Sequence, residues 1–185
     1  MPRIFTGSPW QRFKQRWEDC SLCDLCRVRK NIVLCKGNIP CDVLFIGEAP
    51  GPSEDITGVP FDGPAGALLH KQIDEALVNS GQGELKIGFT NLVCCIPKAE
   101  KGDKFKEPPK ESIEACNERL TQFVELCGPR LIVLVGDLAK AYKLDYETEY
   151  CEITHPAAIL RAEVVRQDLM YNKAVVILEN EMREI

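Results

Sequence analysis

The segment Leu131-Ile-Val-Leu-Val135 constrains the fold of this chain more than any other. Five consecutive apolar, mostly β-branched residues make a strand with no face to give to water, so other elements must cover both of its sides. Similar short runs recur, separated by stretches with helical spacing. Cys41 to Ile46 reads as a first buried strand that delivers the loop Gly47-Glu-Ala-Pro-Gly51, and Gly88 to Val93 reads as another strand. Cys151 to Thr154 reads as a fourth. Between them, Ala65 to Val78 places apolar residues at helical intervals just after a Gly-Pro pair, and Lys110 to Leu126 reads as a second helix. Residues 158 to 171 look helical, and Ala174 to Leu178 fits either a last strand or the start of a terminal helix. Strands alternating with helices predict an α/β fold, a three-layer sandwich with a central, mostly parallel four-stranded sheet and helices on both faces.

In an open parallel sheet, ligands gather at the carboxyl ends of the strands. Three loops fall there: Gly47 to Gly51, Asn91 to Pro97 and His155 to Arg161. A cleft is expected where they converge. Lys98 to Lys110, rich in Lys, Glu and Pro, has no periodicity and reads as a mobile surface loop.

The length of 185 residues suits one domain spanning 1–185, with 45% hydrophobic and 28% charged residues, values typical of a globular protein. No apolar run approaches the roughly 20 residues of a membrane helix, so no membrane association is expected. The basic N-terminus lacks the apolar stretch and cleavage site of a secretory signal, so a cytoplasmic setting is expected, prokaryotic or viral. A net charge of -5 offers no general attraction to phosphate, so any nucleic-acid contact must come from local basic groups and backbone N–H donors.

Ten cysteines in a cytosolic chain call for a ligand explanation rather than a disulfide one. Cys20-Ser-Leu-Cys23 has the spacing of a metal or redox pair, which alone is compatible with zinc, iron–sulfur or neither. Cys35, Cys41, Cys127 and Cys151 sit in or beside apolar segments and read as small core residues.

Seven elements in order then carry a resemblance: Cys20-Ser-Leu-Cys23; Lys36-Gly-Asn38; Gly47-Glu-Ala-Pro-Gly51 with Glu54-Asp55; Gly58-Val-Pro-Phe61 with Gly63-Pro-Ala-Gly-Ala-Leu-Leu69; Thr90-Asn91-Leu-Val-Cys-Cys95; Cys116; and Pro129 to Gly136 followed by Thr154-His-Pro-Ala-Ala-Ile-Leu-Arg161. From Cys20 to Arg161 the chain resembles the iron–sulfur, type 4 class of the uracil-DNA glycosylase superfamily. The resemblance implies that class's fold, and an enzyme that flips uracil out of DNA and hydrolyses its N-glycosidic bond in base excision repair. It also implies a [4Fe-4S] cluster held by Cys20, Cys23, Cys95 and Cys116, tying the segment 1–40 to the rest of the domain. The expected partner is DNA containing uracil or another altered base, and the expected state is a monomer. Cys26 lies one turn beyond Cys23 and Cys94 adjoins Cys95, so either can replace an assigned ligand.

By the same resemblance, Glu48 orients or deprotonates the attacking water, Asn91 recognises the base edge, and His155 donates a hydrogen bond to the departing base. Phe61 stacks on the flipped base, with Gly47 and Ala49 beside it. Pro50, Gly51, Gly63 and Arg161 meet the DNA backbone, and Leu160 wedges into the stack. His70 reads as a surface or packing residue.

Departures from the class pattern are specific. Ile96-Pro97-Lys98 stands where the class shows Arg-Pro-Pro followed by Asn-Arg, Asp62 occupies a normally apolar position, and the stretch from Gly136 to His155 is short. In the superfamily's best-known branch the position of Ala49 is an aspartate. These changes define two competing readings: a catalytically weak or inactive iron–sulfur DNA-binding module in replication, and a glycosylase for another deaminated or modified base.

Overall fold

A computed structural model describes residues 6–98 and 107–185 of the chain. Five strands, β1 (Lys36–Gly37), β2 (Val43–Gly47), β3 (Ile87–Asn91), β4 (Leu131–Val135) and β5 (Glu149–Ile153), form one sheet in the order β1-β3-β2-β4-β5. The pairs β2/β3, β2/β4 and β4/β5 are parallel, which gives the four parallel strands expected from the sequence. The fifth, β1, is antiparallel to β3 and only two residues long, too short to carry a periodicity. β2 and β4 are buried at every position, as central strands must be, whereas β5 at the edge buries Cys151 and Ile153 and exposes Glu149 and Glu152.

Side-chain alternation along the strands divides the core into two halves. Leu44, Ile46, Ile132 and Leu134 face α1 (Pro9–Trp17), α4 (Lys110–Cys127) and α5 (Asp137–Ala141). Val43, Phe45, Phe89, Val133 and Val135 face α3 (Pro64–Ser80) and α7 (Val164–Glu184). Two short helices, α2 (Pro52–Thr57) and α6 (Pro156–Arg161), follow the loops at the carboxyl ends of β2 and β5. Ala174, Val175, Leu178 and Met182 are buried at helical spacing inside α7, so this segment is not a strand: a run with partners three and four residues away packs as one helix face. The stretch 158–171 is not one helix either. Ala162 adopts an extended conformation that separates α6 from α7.

The N-terminal part is held by several independent ties. Ser8 and Gln11 form a capping box that starts α1, and Phe13 packs on Phe123 of α4 with ring centroids 5.5 Å apart. Trp17 Nε1 donates to Gln122 at 2.9 Å. Further on, Val33 N donates to the Cys94 carbonyl (2.9 Å), Thr90 Oγ1 donates to the Leu34 carbonyl (2.8 Å), and the buried Asp55 accepts from Lys30 N (2.7 Å), Asn31 N (3.3 Å) and Lys98 Nζ (3.1 Å). Most of the expected loop Lys98 to Lys110 lies outside the described residues. Among the described residues no helix is long and apolar enough to cross a membrane.

Candidate active site and thiol-lined cavity

The parallel register sets Gly47 opposite Asn91 where β2 and β3 end, and the pairing continues past the strands through Leu92 N to Gly47 O (2.8 Å) and Val93 N to Glu48 O (3.2 Å). A side chain at residue 47 has no room: a Cβ there would lie 2.5 Å from Asn91 Oδ1 and 2.7 Å from Phe61 Cζ. Gly47 therefore lets the Asn91 amide and the Phe61 ring converge. Phe61 is buried against Phe89 at 5.7 Å and is held at φ 54, a left-handed conformation costly for a bulky residue. A Cβ on Gly66, in the first turn of α3, would come within 2.0 Å of the Phe61 carbonyl, so the helix closes directly under this strained turn.

At the carboxyl ends of the strands lies a cleft of about 790 Å³. Its wall contains Glu48, Ala49, Gly51, Phe61, Gly63, Asn91, His155 and Arg161, so the three expected loops do converge and bring these residues together. Gly47 sits beneath the wall, Pro50 is buried behind it, and Leu160 is exposed outside it. Glu54, Glu107, Asp137 and Leu138 also line the cleft. The Glu54 carboxylate accepts from Gly51 N (3.1 Å) and Gly63 N (3.4 Å), bracing two wall loops against each other.

His155 caps α6: its Nδ1 accepts from Ala157 N at 3.1 Å, which leaves the ring proton on Nε2 as a donor. Burial, then the Arg161 guanidinium, hold its pKa below the usual 6.5, so the ring is neutral at neutral pH. Burial pushes the Glu48 carboxyl above the usual 4.5, and the Glu107 carboxylate adds to the rise. Asn91 is 3% exposed, and among the described residues its side-chain amide makes no hydrogen bond, which leaves the amide free for a ligand in the cleft. His70, by contrast, packs edge-on against Phe89 and lies 3.2 Å from Lys36 Nζ, away from the cleft.

A second cavity lies on the α4 side of the sheet. It is lined by Cys20, Cys23, Cys26, Cys94, Cys95 and Cys116 together with Arg29 and Arg119. Cys23 and Cys116 each lie close enough to act on both the Cys20 and the Cys95 thiol, and Cys26 and Cys94 line the same space. Among the described residues no three His, Cys, Asp or Glu side chains are grouped tightly enough to hold a single metal ion. The donor set nevertheless suits an iron–sulfur group, which needs one thiolate for each of several irons and no carboxylate or imidazole. Burial pushes the Cys95 thiol up to about 11, with an Arg29 N–H donated to its sulfur at 3.2 Å acting the other way. Arg119, which also lines this cavity, is 2% exposed and has its Nε without a partner. Such an orphaned cationic donor fits an anionic occupant. Cys41, Cys127 and Cys151 are buried in the core and Cys35 is half-buried.

The family model described as the uracil DNA glycosylase superfamily matches residues 35–179, well over half of the chain. The chain belongs to the uracil DNA glycosylase superfamily. Among curated relatives, a type-4 uracil-DNA glycosylase of Pyrobaculum aerophilum is 31% identical over an alignment covering 89% of this chain and 91% of the relative. Another from Archaeoglobus fulgidus is 30% identical, covering 89% of this chain and 81% of that protein. A third, from Saccharolobus solfataricus, is 39% identical over 123 residues, 66% of this chain; that stretch spans only about half (53%) of the relative.

For this superfamily member, Glu107, Asp137 and the buried Arg119 are the residues that motif reading passes over. Glu107 belongs to an aperiodic loop and Asp137 to a five-residue helix, so neither carries a pattern. Arg119 looks like an ordinary surface charge on an amphipathic helix, and nothing in its neighbours signals its burial.

Proposed function

We propose that this protein is a uracil-DNA glycosylase of the type 4 class, which flips uracil into the cleft and hydrolyses its C1′–N1 bond. The observation that carries this reading is the convergence of Asn91, Phe61, Glu48 and His155 on one cleft at the ends of the parallel strands. The Asn91 amide supplies an acceptor for uracil N3–H and a donor for O4, a pattern that cytosine reverses. Phe61 offers its face to the base, with Gly47 and Ala49 leaving the space clear. As the bond breaks, positive charge grows on the sugar and negative charge on the uracil ring. The neutral His155 donates Nε2–H to the developing oxyanion, a contact worth most in the transition state. Glu48 holds the attacking water and accepts its proton; the products are free uracil and an abasic site. The N-terminus of α3 is proposed to meet the sugar–phosphate, with Gly51 and Gly63 keeping the wall low enough for it to approach, Arg161 as cation, Pro50 setting the loop and the exposed Leu160 as wedge.

Cys20, Cys23, Cys95 and Cys116 are the proposed holders of a [4Fe-4S] cluster, joining the segment 1–40 to the loop after Asn91. Excision moves no electrons, so the cluster supplies structure to the DNA-facing loop. The cellular setting is proposed to be cytoplasmic and the working unit a monomer.

Single-turnover excision from an oligonucleotide with one uracil tests the assignment. His155→Ala is expected to slow release roughly 10²–10³-fold, and Glu48→Gln roughly 10²–10⁴-fold. Both variants matching the wild-type rate would remove these residues from the chemistry.

A further inference from the structure

Arg119 joins the two cavities through the body of the sheet. It reaches from α4 to the end of β3, where its NH1 donates to Thr90 Oγ1 at 2.8 Å. Its NH2 donates to the Asn91 carbonyl at 2.7 Å and to the Leu92 carbonyl at 2.8 Å. These contacts hold the end of β3 at the point where Asn91 leaves the ladder and turns its amide into the cleft. Its Nε is buried without a partner, and the residue lines the thiol-lined cavity. Among the described residues no carboxylate pairs with this guanidinium. A buried cation without a counter-anion is costly, and carbonyl and hydroxyl dipoles solvate it only on one side.

We propose that Arg119 is a positioning residue that couples the two sites: its NH1 and NH2 fix Asn91 for base recognition, and its charge and free Nε answer the anionic thiolate-held group in the cysteine cavity. The inference rests on the uracil reading for the first half and on the thiolate set for the second. A planar guanidinium serves both sides at once, because its donors diverge in one plane from a single charge. A lysine keeps the charge but has no fork to bridge Thr90 and two successive carbonyls.

The test uses iron-loaded protein with wild-type iron content. Arg119→Met and Arg119→Lys are compared by three readouts: the midpoint potential of the bound cluster, amide hydrogen exchange across residues 87–93, and uracil release. Arg119→Met is expected to shift the midpoint potential negative, because a cation that favours the added electron is gone. It should also raise exchange at the β3 end and lower kcat/KM about 10²-fold, the scale of a small misplacement of a recognition group. Arg119→Lys is expected to keep the potential near wild type yet lose base recognition with faster exchange at the same peptide. That split separates charge from fork, which a merely structural role would not do.

Unchanged exchange and uracil release in both variants, at full iron content, would overturn the positioning role. An unchanged potential in Arg119→Met would overturn the link to the cluster. If the wild-type protein released no uracil, the functional reading would fail by itself, and exchange and potential would still decide the role of Arg119. Should Arg119→Met not fold, Arg119→Lys and Thr90→Val carry the same comparison, with Thr90→Val expected to raise exchange at the β3 end while leaving the potential unchanged.

Discussion

His155 shows how a single hydrogen bond selects a chemical state. Because Nδ1 is occupied by the Ala157 N–H, the neutral ring presents Nε2–H to the cleft, and protonation would break the cap. Glu48 acts as a base only when ionised. Its pKa lies above the usual 4.5 and that of His155 below the usual 6.5, so acidification takes the Glu48 charge at a higher pH than an ordinary carboxylate would lose it. The acid limb of kcat/KM is therefore expected above pH 4.5, and removing the Glu107 charge with Glu107→Gln should move the limb toward lower pH. A pH–rate profile of the two proteins checks the sign; a shift to higher pH would contradict it. The motif order singled out Glu48, Asn91 and His155 in the sequence: each stands at a strand end, Glu48 after Gly47, His155 before Pro156, and Asn91 after a short apolar run. Arg119 was not readable, since burial of a helix charge depends on what the sheet opposite provides.

The junction between the strained Phe61 turn and α3 is where local geometry is tightest. Gly66 is required there by close approach, not by its own φ, since any Cβ meets the Phe61 backbone. Gly66→Ala is expected to destabilise the protein by about 1–3 kcal/mol, the scale of overpacking a close contact, and to displace Phe61 from the cleft. Thermal unfolding together with uracil release checks both effects, and a variant as stable and active as wild type would show that the turn is not held by this contact. Among the larger elements, the central strands and the helices α3 and α4 follow from apolar runs and 3.6-residue spacing. β1 and α2 were missed for their brevity. α1 was within reach of pattern reading: Ser8, Pro9 and Gln11 mark its start, and Trp10, Phe13 and Trp17 form its apolar stripe. The middle of α7, Ala174 to Leu178, was ambiguous because a five-residue apolar run fits a strand or a helix until its partners are known.

The whole molecule carries a net charge of -5, and its cleft is lined by Glu48, Glu54, Glu107 and Asp137 with Arg161 as a cation on the same wall. On the proposed function, DNA binding draws on the helix N-terminus and base insertion more than on phosphate neutralisation. The slope of log K against log salt is expected to be shallow, about -3 or weaker, corresponding to roughly three displaced counterions. Anisotropy titrations with a non-hydrolysable uracil analogue in duplex DNA measure it, and a slope near -8 would show a basic contact surface that this cleft does not supply. The most direct measurement is the identity of the free base released from oligonucleotides carrying uracil, hypoxanthine or xanthine, by the wild-type protein and by Asn91→Ala. The expected result is uracil, in equal amount with abasic sites, and a loss of roughly 10²–10³-fold in the variant. Tight DNA binding with no base released, or release of another base in place of uracil, would contradict it.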